Sequence, residues 1–327
     1  MSSFRISAPS RVHMNLLSMG YDGYRKNGGL GFAISGWDTV FEFASNNTNS
    51  IVDLRGEGLS SGDIEKLVVY LESICLLLKL DKKLRVTIVE GPKPHSGLGV
   101  GTTTKLALAE ALMIANHRDA SFQDIIKLSG RGGTSGIGIN TYFYGGFILD
   151  GGVVIDDEPF GPSASKELLS FSLPQVLIKA EMPSDWCIGL LQISTSLMIS
   201  GKKELDFFIE NTPISRSAIE AACYQAVMGV SAAVLEKDYL TFSKSISNIQ
   251  SLSWKMAEWQ QQDVLVTSAK EWLVLNGAAA VGLSSFGPTL YFTHNSPVDI
   301  LTGGCFPSGW GVKLVAPNNS GRVIKYV

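Results

Sequence analysis

Apolar positions along the chain switch between period two and period 3.6, which predicts short mixed elements rather than long helices or a plain β-protein. Between residues 4 and 55, β-rich runs at Phe4 to Ile6, Thr39 to Phe43 and Ser50 to Leu54 surround a glycine-dense loop from Gly20 to Gly31. Ser61 reads as an N-cap with Asp63 and Glu65 in the first turn. Behind it Ile64, Leu67, Val68, Leu71, Ile74, Cys75 and Leu78 recur at helical spacing. Leu84 to Val89 alternates and is β-branched, a strand ended by Gly91 and Pro92. A glycine loop over Pro94 to Thr104 feeds a helix from Lys105 to Leu112, and Ser121 caps another over Phe122 to Leu128. Tyr142 to Leu149 and Val153 to Ile155 read as paired strands, followed by a loop over Asp157 to Ser170.

The second half opens with strands at Val176 to Ala180 and Ile188 to Ile193. Helical patterns follow at Glu204 to Ile209, Ser217 to Leu235, Tyr239 to Leu252 and Ser268 to Leu275, the second opening on Ser217 and Glu220 as a capping box. Strands return at Ala279 to Leu283, Thr289 to Phe292 and Val312 to Val315. Strands and helices mixed in both halves imply an α+β, two-lobed enzyme fold. The expected division is residues 1–160, carrying the glycine loop, and residues 161–327. A parallel dinucleotide-binding sheet is excluded, because no Gly-x-Gly-x-x-Gly follows the first strand.

Composition narrows the partners. The 327 residues are 45% hydrophobic and 17% charged with a net charge of -3, which supports a buried core and gives no electrostatic footprint for nucleic acid. Cys75, Cys187, Cys223 and Cys305 are far apart and without ligand spacing, so reduced structural thiols are expected. The N-terminus runs straight into strand-like sequence, and no apolar run is long enough to span a bilayer, so a cytoplasmic protein away from membranes is expected.

Candidate chemistry sits in the glycine segments. Gly97, Gly99 and Gly101 let backbone approach a ligand, and the helix behind them turns free amides toward an anion, with hydroxyls from Thr102, Thr103 and Thr104 nearby. The plainer alternative is a glycine-rich turn into a helix. The loop from Gly282 to Thr289 is by itself only a turn between strands. Arg11 is by itself an ordinary surface arginine, unless an anion loop lies beside it. His117 reads as a helix-ending residue and His294 as a turn residue. Trp254 and Trp259 read as helix-packing residues, with an aromatic wall for a flat ring as the alternative, and Asp150 before Gly151 and Gly152 reads as a turn former.

In order, these blocks resemble the galactokinase, homoserine kinase, mevalonate kinase and phosphomevalonate kinase (GHMP) superfamily. There a Pro-Ser-Gly-Val-Asp run precedes a Gly-Gly pair and its Asp serves the substrate hydroxyl. Here Thr134-Ser135-Gly136-Ile137-Gly138 stands at the same distance before Gly145-Gly146, so Gly138 occupies the Asp position. A closer resemblance is to β-ribofuranosylaminobenzene 5′-phosphate synthases, which share that fold without being kinases. It rests on Arg11-x-His13-x-Asn15, Tyr24 to Phe32, His95 to Thr102, Arg131 with Ser135 to Gly138, and Gly145 to Gly152, and continues through Ser284 to Thr289.

What the resemblance implies is a GHMP-kinase-like two-lobed fold, with an N-terminal lobe like a ribosomal-protein domain. It implies transfer of ribose 5-phosphate from phosphoribosyl pyrophosphate to a ring carbon of 4-aminobenzoate or 4-hydroxybenzoate, with loss of CO2 and pyrophosphate, as in methanopterin-type cofactor synthesis. Carried over block by block, it places Arg11, His13, Asn15, His95 and Arg131 at the reaction centre. Substrates would be held by Arg25, Asn27, Gly28, Gly29, Gly97, Leu98, Gly99, Gly101, Thr102, Thr103, Lys105, Thr134, Ser135, Gly136, Ser284 and Ser285. Asp150 would hold Mg2+ on the pyrophosphate. Arg11, Arg25 and Arg131 are expected to share the donor's charge. The chain departs from the family's usual sequence at Val100, Thr103 and the Phe143-Tyr144 pair, which bears on the acceptor. Alternatives are a C-nucleoside synthase acting on a small nitrogen-heterocycle carboxylate, an ATP-dependent kinase using Asp150 or Asp22, and a nucleotide-sensing scaffold. A homodimer is compatible with the sequence, which fixes no oligomeric state.

Overall fold

A computed structural model describes residues 3–162, 172–195, 199, 201–294 and 310–326. The first half runs β1 (Phe4–Ser18), β2 (Arg25–Asn46), β3 (Ser50–Asp53), α1 (Ser61–Leu78), β4 (Lys83–Glu90), α2 (Val100–Ala115), α3 (Phe122–Ser129), α4 (Ile137–Tyr144), β5 (Phe147–Asp150) and β6 (Val153–Val154). After β7 (Val176–Ala180) and β8 (Ile188–Ile193) come α5 (Lys202–Asn211), α6 (Arg216–Tyr224), a π-helical segment (Gln225–Ser231), α7 (Ala232–Glu236), α8 (Tyr239–Gln250), α9 (Ser253–Gln260) and α10 (Val264–Leu275). The chain closes with β9 (Ala280–Leu283), β10 (Leu290–Thr293), β11 (Trp310–Pro317) and β12 (Val323–Tyr326).

One sheet joins both halves, in the order β12-β1-β2-β11-β8-β10-β9, with β4, β5 and β6 also paired to β2. The last strand returns to the first, pairing Val323 to Tyr326 with Ser7 to Phe4. Helices α1, α2 and α3 pack one apolar cluster against β1, β2 and β4. A second cluster lies under β2, β8 and β10 and takes in Ala222, Ala226, Val230, Ala233 and Val234. The helical run Arg216–Glu236 is long and apolar enough to cross a membrane, yet those residues are part of this packed core.

Several expectations need correction. The predicted loop from Gly20 to Gly31 is strand from Arg25 onward, because its glycines pair on one side with β1 and on the other with β5. Tyr142 to Tyr144 are helical, not strand: Thr141 bonds back to the Ile137 carbonyl at 2.7 Å, the Tyr142 hydroxyl meets Glu110 at 2.7 Å, and Phe143 stacks on Phe122. Packing overrides the β-preference of the aromatic run. Strands β5 and β6 each pair with β2, not with one another. The helix caps are Ser60 and Ser215, not Ser61 and Ser217. Within the long C-terminal helix a hydroxyl donates five residues back, Ser231 to Ala226, where the π segment forms. Helix α9 and strand β12 carried too little periodic signal to be predicted. Most of the predicted loop over Asp157 to Ser170 lies outside the described residues, as does Cys305.

Candidate active site

Three segments far apart in the chain meet at the glycine loop. The Arg11 amide donates to the Leu98 carbonyl at 3.1 Å, while its guanidinium donates to the Gly97 carbonyl at 2.7 Å. From the C-terminal half, the Ser284 hydroxyl donates to the same Gly97 carbonyl at 2.8 Å, and the Ser285 amide donates to the His13 carbonyl at 2.9 Å. Gly99 caps α2 with φ 84° and offers no side chain to its first-turn amides. An uncapped N-terminus of this kind favours an anion. The Gly101 side of the loop faces Arg131, whose Nε donates to Thr102 at 3.1 Å.

Two adjoining cavities open from this junction. The inner one is lined by His13, Ser135, Gly138, Leu16, Phe208 and Glu258, and the outer one by Lys66, Tyr70, His95, Gly97, Gly99 and Lys105. Arg11, Thr102, Arg131, Glu204, Ser285 and Phe286 line both and form the wall between them. Burial lowers the Arg11 guanidinium to about 10, helped by Arg131, and burial lowers Arg131 as well. Both still carry charge at neutral pH. Burial first, then Arg11 and Lys255, hold the His13 imidazole well below its ordinary value. A neutral imidazole therefore meets the Ser135 hydroxyl at 3.2 Å, and Ser135 reaches Asp150 at 3.2 Å.

Gly138 stands in the first turn of α4, at the inner cavity. A Cβ there would lie 3.1 Å from the Thr102 methyl. Glycine at 138 supplies no proton acceptor, and a larger residue would have to press the Thr102 methyl aside by a few tenths of an ångström.

Not every predicted site residue reaches a cavity. Arg25 does not: its guanidinium donates to the Gly151 and Gly152 carbonyls, both at 2.7 Å, and fastens β2 to the β5–β6 turn. Asn27, Gly28 and Gly29 lie in the same layer, where a Cβ on Gly29 would stand 2.9 Å from the Ser135 hydroxyl and 3.0 Å from His13 Nε2. The missing side chain at Gly29 leaves room for the His13 and Ser135 pair. Asn15 is buried beside them, both ends of its amide unpartnered among the described residues. Leu98 and Thr103 face the core, and Ser284 ties loops together. Thr134 bonds the Gly161 carbonyl at 2.6 Å and lines the inner cavity, whereas Gly136 caps α4. His95 is exposed at φ 57° on the outer cavity, away from His13. Phe143 and Tyr144 sit at the far end of α4 with Phe122, so their departure from the family pattern falls away from the cavities.

Asp150 does not fit a metal. It is fully buried, and its oxygens accept from the Gly136 amide at 2.9 Å, the Gly152 amide at 2.9 Å and the Ser135 hydroxyl. Burial raises its carboxyl to about 7 against those bonds. Among the described residues no group of three or more His, Cys, Asp or Glu side chains has the arrangement of a metal site. The carboxylate organises the start of α4.

Sequence reasoning misses further residues that shape the site. Lys255 is fully buried and donates to Glu258 at 2.5 Å, to the Leu283 carbonyl at 2.9 Å and to the Ser285 carbonyl at 3.3 Å, which holds the Ser284 loop in place. Trp254 completes the group by donating to Glu258 at 2.8 Å, a packing role that matches its sequence reading. The aromatic wall is supplied by Phe208 and Phe286, backed by Phe207. Glu204, one turn before Phe208, faces both cavities. The usable signal was the i, i+4 spacing of Glu204 and Phe208 on one short amphipathic helix.

No family model matches the chain. A β-ribofuranosylphenol 5′-phosphate synthase of Methanocaldococcus jannaschii is 31% identical over 298 residues, covering 88% of this chain and 88% of that protein. The chain belongs to that synthase family. Its counterpart from Methanothermobacter thermautotrophicus is 30% identical over 88% of this chain and 87% of its own length. In fold, the family member described here resembles homoserine kinase from Cytophaga hutchinsonii, with a TM-score of 0.68 at 16% identity over 99% of this chain and 97% of that one. A mevalonate kinase of L. major in complex with R-mevalonate gives a TM-score of 0.66 at 16% identity, covering 96% of both chains. The architecture is thus GHMP-kinase-like.

Proposed function

We propose that this chain transfers ribose 5-phosphate from phosphoribosyl pyrophosphate to the carboxylate-bearing ring carbon of a 4-substituted benzoate, 4-hydroxybenzoate first, in the cytoplasm. The new bond joins the anomeric carbon to the ring, pyrophosphate leaves with the electron pair, and CO2 departs to restore aromaticity. The observation that carries this reading is the shared wall. A glycine-loop cavity suited to phosphate and an aromatic-walled cavity suited to a flat ring adjoin at Arg11 and Arg131. Two buried guanidiniums at the junction stabilise charge developing on a leaving pyrophosphate. Neutral His13 and the Ser135 hydroxyl orient the acceptor beneath them.

Glycine at 138 with Thr102 packed against it weighs against phosphoryl transfer to a hydroxyl. The deciding assay supplies phosphoribosyl pyrophosphate with carboxyl-labelled 4-hydroxybenzoate, 4-aminobenzoate or a pyrazole carboxylate, and in parallel ATP. Equimolar release of labelled CO2 and pyrophosphate is expected from the benzoates. ADP formation without pyrophosphate release would overturn the reading, and turnover of the pyrazole alone would move the acceptor to nitrogen heterocycles.

A further inference from the structure

Three carboxylates line the two cavities, and two are engaged. Glu258 accepts from Lys255 and Trp254. Asp63 accepts from Ser60 and Lys66 at the start of α1. Glu204 has neither a hydrogen bond nor an ion pair among the described residues, although it is half-buried at the wall between donor and acceptor cavities. Phe208 follows it by one helical turn, and Glu204, Phe208 and Phe286 line the same inner cavity.

We propose that Glu204 is a catalytic base that accepts the proton of the acceptor's ring hydroxyl and so fits the site to para-hydroxylated aromatic carboxylates. This rests on the transferase reading above and specifies its acceptor. As the O–H bond breaks, its electron pair moves into the ring, the carboxylate-bearing carbon bonds the anomeric carbon, and pyrophosphate leaves with the anomeric C–O pair. The resulting dienone carboxylate then loses CO2. The C–C pair restores the ring, and the phenolate oxygen recovers the proton from Glu204, so no proton is gained or lost overall.

Electrostatics support the role. Burial raises the Glu204 carboxyl above the ordinary range, while Arg131 on the loop before α4 and Arg11 on β1 oppose the rise and Glu258 on α9 adds to it. A carboxylate that binds its proton more tightly than usual is a stronger base. Turnover in the wild type should therefore fall as pH drops through that raised value.

The test compares wild type, Glu204→Gln and Glu204→Asp with 4-hydroxybenzoate and 3,5-difluoro-4-hydroxybenzoate, whose hydroxyl is already ionised at neutral pH. Glu204→Gln should fold as the wild type does, keep its affinity for phosphoribosyl pyrophosphate, and lose about 100-fold or more in turnover of 4-hydroxybenzoate at neutral pH. Its deficit should shrink at least about tenfold with the difluoro acceptor, and its acid limb should disappear. Glu204→Asp, which keeps a carboxylate, should retain part of the activity. Wild-type turnover in Glu204→Gln, an equal deficit with both acceptors, or a loss confined to donor affinity would each overturn the role. A wild-type chain that releases no pyrophosphate overturns the underlying reading, and this role with it.

Discussion

Ser284 and Gly97 stand 187 residues apart in sequence, yet the Ser284 hydroxyl donates to the Gly97 carbonyl at 2.8 Å while the Ser284 carbonyl lies where a Cβ on residue 97 would be, 2.3 Å away. The contact closes the glycine loop from the far half of the chain. Gly97 also has φ 81°, which an L side chain rarely adopts. Gly97→Ala should cost about 1–3 kcal/mol of stability, and more in loop order, because the colliding atom is backbone and cannot swing aside. Denaturant unfolding and calorimetric titration with phosphoribosyl pyrophosphate should show both losses. Retained donor affinity would mean that the loop does not hold the donor.

The three arginines should separate into two groups. Arg11→Ala and Arg131→Ala are expected to remove about 2–4 kcal/mol of transition-state stabilisation, read as the drop in kcat/KM, with Lys at either position restoring only part. Arg25→Ala loses two bonds to carbonyls instead, so stability should fall by about 1–3 kcal/mol while kcat/KM of the folded protein stays near wild type. Steady-state kinetics beside thermal unfolding tests the division. A large kcat/KM loss in a well-folded Arg25→Ala protein would place that guanidinium on the substrate after all.

Lys255 and Glu258 form an ion pair with side-chain exposures of 0% and 3%, so removing one partner strands a buried charge. Lys255→Met should destabilise by about 3–5 kcal/mol, and adding Glu258→Leu should recover part of that loss. Urea unfolding of the two single variants and the double variant measures the coupling. Strict additivity would show that the pair is not energetically linked.

His13 gives the fold a pH dependence of known sign. Burial holds its folded value well below the ordinary 6.5, so the unfolded chain takes up a proton first as pH falls. The stability it contributes is complete above about pH 6.5 and is lost progressively below it, down to the depressed folded value. Unfolding free energies measured from pH 8 to pH 5 should fall less steeply in His13→Gln than in the wild type. Parallel curves for the two proteins would show that the imidazole titrates normally in the folded state.

Local chemistry made much of this protein legible in its residue order. Helices α1 and α3, and strands β4, β7 and β8, follow from periodicity and capping, because their stabilising contacts are close in sequence or repeat along one face. The glycine loop, the run ending at Gly138 and their order were equally readable, since backbone conformation and the absence of a side chain are properties of single residues. The assignment of charges was decided only by tertiary structure. Arg25 and Arg11 look alike in sequence, but one is taken by turn carbonyls across 126 residues and the other lines a cavity. Asp150 read as a turn former or, by resemblance, a metal ligand, and only the fold surrounds it with donors from Ser135, Gly136 and Gly152, while Glu204 carried no signal beyond its spacing to Phe208 on a short helix. The fate of a polar side chain depends on which donors, acceptors and cations crowd it in space, and here those partners come from segments that only the β1–β2 sheet and the Ser284 loop bring together.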